Sequence, residues 1–106
     1  MERDNKPISE QYRVVAKQWV DADNAARLLE ETKSAFLSQK MAQLGDTPVT
    51  HAEREVKASE EWMDYVKKTV AARTEANLLK VKLEYIRMRF SEHQSEEATR
   101  RAEMKL

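Results

Sequence analysis

The chain has 106 residues, 19 Lys and Arg against 19 Asp and Glu, one Gly, two Pro and no Cys, with a mean hydropathy of −0.82. That length allows a single domain, zero net charge supplies no overall field toward nucleic acid or anionic lipid, and the lack of Cys excludes disulfide and thiol chemistry. With the stretch "GDTP" at 45–48 as its one turn signal, the chain is predicted to be all-α and to reverse direction about once.

The opening residues "MERDNKPISE" are too polar for a signal peptide, and residues 1–8 are expected to form a flexible N-terminus. No apolar run is long enough to span a bilayer, so the expectation is a cytoplasmic protein with no membrane partner. Helix one is predicted over 9–44, a stretch without Pro or Gly. Val15, Trp19, Ala22, Ala26 and Leu29 fall three or four residues apart along one stripe, which Phe36, its neighbour Leu37 and Leu44 continue two turns at a time. Ser9 is the expected N-cap and Gly45 the expected left-handed C-cap.

After a turn at 45–50, "TPVTHAE" places Thr50 as an N-cap with Glu53 three residues on, the spacing of a reciprocal capping box. Helix two is predicted from His51 to the C-terminus. A seven-residue ruler runs along it through Trp62, Tyr65, Thr69, Ala72, Ala76, Leu79, Leu83, Ile86, Phe90 and His93. Of these, Trp62, Tyr65, Ala72, Leu79, Leu83, Ile86 and Phe90 are the expected core, facing Val15, Trp19, Ala26, Leu29 and Phe36 of helix one. Antiparallel pairing about the turn sets Trp19 beside Ala76, Val15 beside Leu79 and Tyr12 beside Leu83, and leaves residues beyond about 88 overhanging. A break near 91–95, recapped by Ser91 or Ser95, is the alternative for the tail.

The stretch "LLKVKLEYIRMRF" at 78–90 alternates apolar and charged residues as a strand would. Strong helix formers on both sides and the lack of turns make it a helix with two apolar stripes. Leu79, Leu83, Ile86 and Phe90 face the hairpin mate; Leu78, Val81, Tyr85 and Met88 lie on nearly the opposite side. A large apolar side chain left in water forfeits roughly 1.5 to 3 kcal/mol of burial. Four of them predict self-association, with two hairpins dimerising into a four-helix bundle. Tyr12 lies near this outer stripe.

Charge is uneven along helix two: residues 51–66 carry net −3 and residues 67–90 net +5. Lys67, Lys68, Arg73, Lys80, Lys82, Arg87 and Arg89 form a basic stretch that suits a phosphate backbone, and nucleic-acid binding is the alternative function on that ground. Solvated charges whose stems cover apolar surface are the plainer reading. His93 with Glu97, beside Glu92 and Glu96, has a spacing that a second chain could complete into a metal site, but one His with loose carboxylates predicts none. No nucleophile triad, zinc motif, phosphate loop or nucleotide fingerprint is present, so neither enzyme activity nor a cofactor is expected.

The stretches "EYIRMRF" at 84–90 and "SEEATRRAEM" at 95–104 resemble short helical proteins encoded in the early, recombination-associated regions of tailed phages and prophages. The resemblance implies a small accessory protein acting in the host cytoplasm, in a group generally without assigned activity. A recombination or replication factor, or a host defence component, is the kind of protein partner it implies. It carries no functional residue over to this chain.

Overall fold

In a computed structural model, residues 6–105 are described, and they form four helices and no strand. These are α1 (Ile8–Glu31), α2 (Lys33–Ala42), α3 (Val49–Lys57) and α4 (Glu60–Met104). α1 runs antiparallel along α4, while α2 folds onto α3 at the tip. The result is an all-α hairpin 84 × 27 × 17 Å in extent. The expected flexible segment 1–8 falls mostly outside the described residues.

The chain reverses at Gly45, whose φ of 70° is the one positive value among the described residues. A side chain there would meet the carbonyl crowding that excludes most residues from the left-handed region. Thr47 tightens the turn by donating from Oγ1 to the Leu44 carbonyl at 3.1 Å.

Both expected N-caps are displaced by the prolines before them. Gln11 N donates to the Pro7 carbonyl at 3.0 Å, and Ala52 N to the Pro48 carbonyl at 2.8 Å. Each proline thus accepts the first helical bond, and the helices begin at Ile8 and Val49. Proline needs no partner for the N–H it lacks, and its fixed φ suits the approach to a helix. Ser9 and Thr50 are therefore already helical and cap nothing, and the capping box does not form. Glu53 instead accepts from Lys57 Nζ at 2.7 Å.

Both predicted helices are interrupted. Thr32 separates α1 from α2, with its Oγ1 donating back to the Leu28 carbonyl at 2.7 Å. Such a bond competes with the regular ladder and bends a helix. Phe36 N still donates to the Thr32 carbonyl at 2.9 Å, so the interruption is one residue wide. The break at Ser59 is deeper. Its backbone is extended (φ −82°, ψ 155°), its Oγ accepts from Trp62 N, and Glu60 and Glu61 fill the first turn of α4. A hydroxyl at the N-cap and acids in the first turn are what a new helix start requires. Helix two is thus two helices. The tail, by contrast, has no break at 91–95: α4 is continuous to Met104, its 45 residues spanning about 67 Å.

The break changes the pairing register. Tyr12 meets Arg87, with Nη2 donating to the phenol oxygen at 3.2 Å, and Val15 clusters with Leu83 and Ile86. This is about one helical turn from the register expected for straight helices, because the tip and the restart at Ser59 take up the difference. The fully apolar contacts are few: Val15, Ala26, Ala52, Val56, Trp62, Ala76, Leu83 and Ile86 are buried. Trp19, Leu29, Phe36, Tyr65, Ala72 and Leu79 are half-buried. Two facing helices can cover only one side of each other, which leaves this core thin. Ala26 and Ala76, both fully enclosed, supply the small side chains that let two helices approach closely.

Candidate interaction surfaces

The inner face of the hairpin is held by specific polar contacts. Arg73 of α4 reaches two carboxylates of α1: Nε and Nη2 donate to Glu30 at 2.9 and 2.7 Å, and Nη1 donates to Asp23 at 2.7 Å. These bonds hold the Asp23 and Glu30 carboxyls below their ordinary range and raise the guanidinium still further above neutrality. Two turns away along α4, the Tyr65 hydroxyl donates to the Leu29 carbonyl at 2.5 Å and lies 2.8 Å from Thr32 Oγ1. Phe36, Trp62 and Tyr65 stack beside it, Phe36 and Tyr65 with centroids 4.4 Å apart. Lys33 sits over the Trp62 ring and Lys40 over Phe36, while Lys40 also pairs with Glu61.

This arrangement divides the predicted basic stretch. Arg73 is held by three bonds to Asp23 and Glu30, Arg87 bonds Tyr12, and Lys80 lines the groove between the helices with Tyr12 and Trp19. These three positions, seven apart, flank α1. Lys67, Lys68, Lys82 and Arg89 are exposed; at 100° per residue Lys68, Lys82 and Arg89 project from the other flank, whereas Lys67 projects from the same face as Tyr85, away from α1. The seven cations therefore do not form one phosphate track, and Arg73 is committed to the fold.

The face of α4 away from α1 is different. Leu78, Val81, Tyr85 and Met88 are 59–66% exposed. The stripe continues toward the tip through Val70 (59%) and Met63 (50%), which the sequence reading did not include. From Met63 to Met88 it covers about 38 Å of helix. Met63 and Val70 were legible as the same stripe seven residues apart, but Met63 sits beside Trp62 of the inner face and Val70 between Thr69 and Ala71, so neither stands out as part of a second apolar row.

Phe90, expected in the core, is 44% exposed. It lies where α1 begins, in a notch of about 260 Å³ with Ile8, Ser9, Tyr12, Ile86 and Arg87. Past it α4 projects without a mate among the described residues, and from Ser91 to Lys105 every residue except Glu97 is exposed. His93, Glu92 and Glu96 lie in this solvated tail, and no group of three potential metal ligands converges among the described residues. Nor is any described helix long and apolar enough to cross a membrane. Comparison with protein-family models, with curated proteins and with solved structures finds no match to this chain.

Proposed function

We propose that this chain is a non-catalytic interaction protein, a phage-type accessory factor that self-associates through the outer face of α4. The observation that carries the reading is the stripe of Met63, Val70, Leu78, Val81, Tyr85 and Met88, each at least half exposed. An apolar row of this length is unusual on a surface meant to stay in water. Aromatic residues and Met are also the types enriched at protein interfaces. Because the stripe lies opposite the face that meets α1, a second hairpin adds beyond α4. The four long helices then lie in one layer, ordered α1, α4, α4, α1, with the two copies related by a two-fold axis.

In that assembly the outward faces of α1 and the tips remain free for a protein partner, in the phage setting a recombination or replication factor or a host defence component. The experiment is a double substitution, Val81→Glu with Met88→Glu, followed by size measurement and circular dichroism. A folded monomer is expected. A variant that stays as large as the parent would remove the stripe from the account. Retarded migration of DNA or RNA that weakens steeply with salt would instead favour nucleic-acid binding through Lys67, Lys68, Lys82 and Arg89.

A further inference from the structure

On the flank of the apolar stripe, five exposed charged residues follow one another at seven-residue intervals: Lys68, Glu75, Lys82, Arg89 and Glu96. None of the five forms an ion pair among the described residues. From the self-association reading and this row, we infer that the second copy lies antiparallel along α4, with the two-fold axis at Lys82.

In an antiparallel pair the same flank of each helix faces its copy, and a two-fold axis makes every contact occur twice. Placing the axis at Lys82 sets Lys68 opposite Glu96 and Glu75 opposite Arg89. Each pairing is repeated by symmetry, so four oppositely charged contacts border the apolar seam. The like-charged contact is Lys82 with its own copy, where two long stems can splay to water. A parallel pair in register brings this row beside the other side of the stripe, where Asn77, Glu84 and Ser91 continue the seven-residue interval of the stripe's own Met63 and Val70. There Glu84 with Arg89 is the sole complementary charge pair.

A second observation selects the same axis. α4 runs from Glu60 to Met104, and Lys82 is its midpoint. The register set by the charges therefore overlays the two helices along their whole length, residue 60 level with residue 104. The tail beyond Phe90, which has no mate among the described residues, gains one in the copy. In this register Leu78 comes level with Tyr85 of the other copy to within one residue and Val81 lies within two residues of its own equivalent. The middle of the apolar stripe is therefore covered by the copy's, while Met63 and Val70 lie against the copy's tail, level with positions 101 and 94.

The chain has no Cys, so a single spin label can be placed at will. Asp64→Cys is exposed and outside the charged row. In the antiparallel register position 64 stands level with position 100 of the copy, putting two labels about 54 Å apart along the axis. A parallel pair would hold them within roughly 20 Å. A dimer with the long separation supports the inference, and a dimer with any other separation overturns the register while leaving self-association intact. A monomer in sedimentation overturns both. As an independent check, Lys68→Glu is expected to weaken the dimer roughly tenfold, and adding Glu96→Lys to restore it. Loss without restoration would reject the Lys68 to Glu96 pairing.

Discussion

Arg73 and Glu30 join the two long helices through a fork of two parallel hydrogen bonds, Nε to Oε2 and Nη2 to Oε1, while the remaining arm of the guanidinium takes Asp23. Bidentate geometry of this kind is specific to Arg, since Lys offers a point charge on a flexible stem. Both carboxyls are held below their ordinary values by these bonds. The stabilisation is therefore fully present above the pKa values of the unfolded chain, and is lost as pH falls through the lower values of the folded one. The urea midpoint is expected to hold near neutrality and to decline below about pH 4.5. In Arg73→Met it should be lower at pH 7 and decline less with acid, and equal acid sensitivity in both proteins would contradict the clamp.

Ser59 tests the restart of α4. Ser59→Ala removes the acceptor for Trp62 N and is expected to cost about 1 kcal/mol, whereas Ser59→Gly should cost only a few tenths. Denaturant titration separates the two. If Ala and Gly prove equally harmless, the start of α4 is set by packing at the tip and not by the hydroxyl.

Leu83 and Leu78 are the same residue type on opposite sides of α4. Leu83 is buried against Val15 and Ile86, so Leu83→Ala is expected to lower stability by about 2 to 5 kcal/mol at any protein concentration. Leu78→Ala should be within about 0.5 kcal/mol of the parent at high dilution. Its cost should appear only where the protein is concentrated enough to associate, because burial is then supplied by the second copy. A large cost for Leu78→Ala in dilute protein would place Leu78 inside the hairpin.

Tyr65→Phe keeps the ring that stacks on Phe36 and removes the hydroxyl that bonds Leu29 and Thr32. A loss of about 1 kcal/mol is expected. Hydrogen exchange should quicken locally around 29–36 as the two helices are untied at the Thr32 interruption. Uniform quickening along the whole of α1 would show that the hydroxyl has no local role.

The all-α hairpin could be read from the sequence because long-range periodicity reports it directly. Val15, Ala26, Trp62, Leu83 and Ile86 recur at helical spacing, and all are buried. Gly45 marks the reversal because no other residue tolerates its φ without cost. What escaped was local. The seven-residue ruler starts at Trp62 and so does not test the chain before Ser59. Carried back it falls on Ala58 and Glu55, whereas the buried residues there are Ala52 and Val56, a slip that coincides with the extended backbone at Ser59. The signal was present in "SEEW" at 59–62, a hydroxyl before two acids, but the similar signal at Thr50 drew the helix start to the wrong place. At Thr50 the rigid ring of Pro48 had already begun the helix, which side-chain capping rules do not weigh. Phe90 was misplaced for a third reason: its spacing matches the core, but it meets only the first turn of α1 at Ile8 and Ser9, which leaves it 44% exposed. The commitment of Arg73 to two acids 43 and 50 positions away depends on the register of the hairpin and is invisible in one dimension.

Sedimentation equilibrium of the unmodified protein at micromolar concentration bears most directly on the central claim that the outer face of α4 is covered by a second copy. The expected result is a mass about twice 12.4 kDa that falls to the single-chain value on dilution. A mass of 12.4 kDa that does not change with concentration would contradict it.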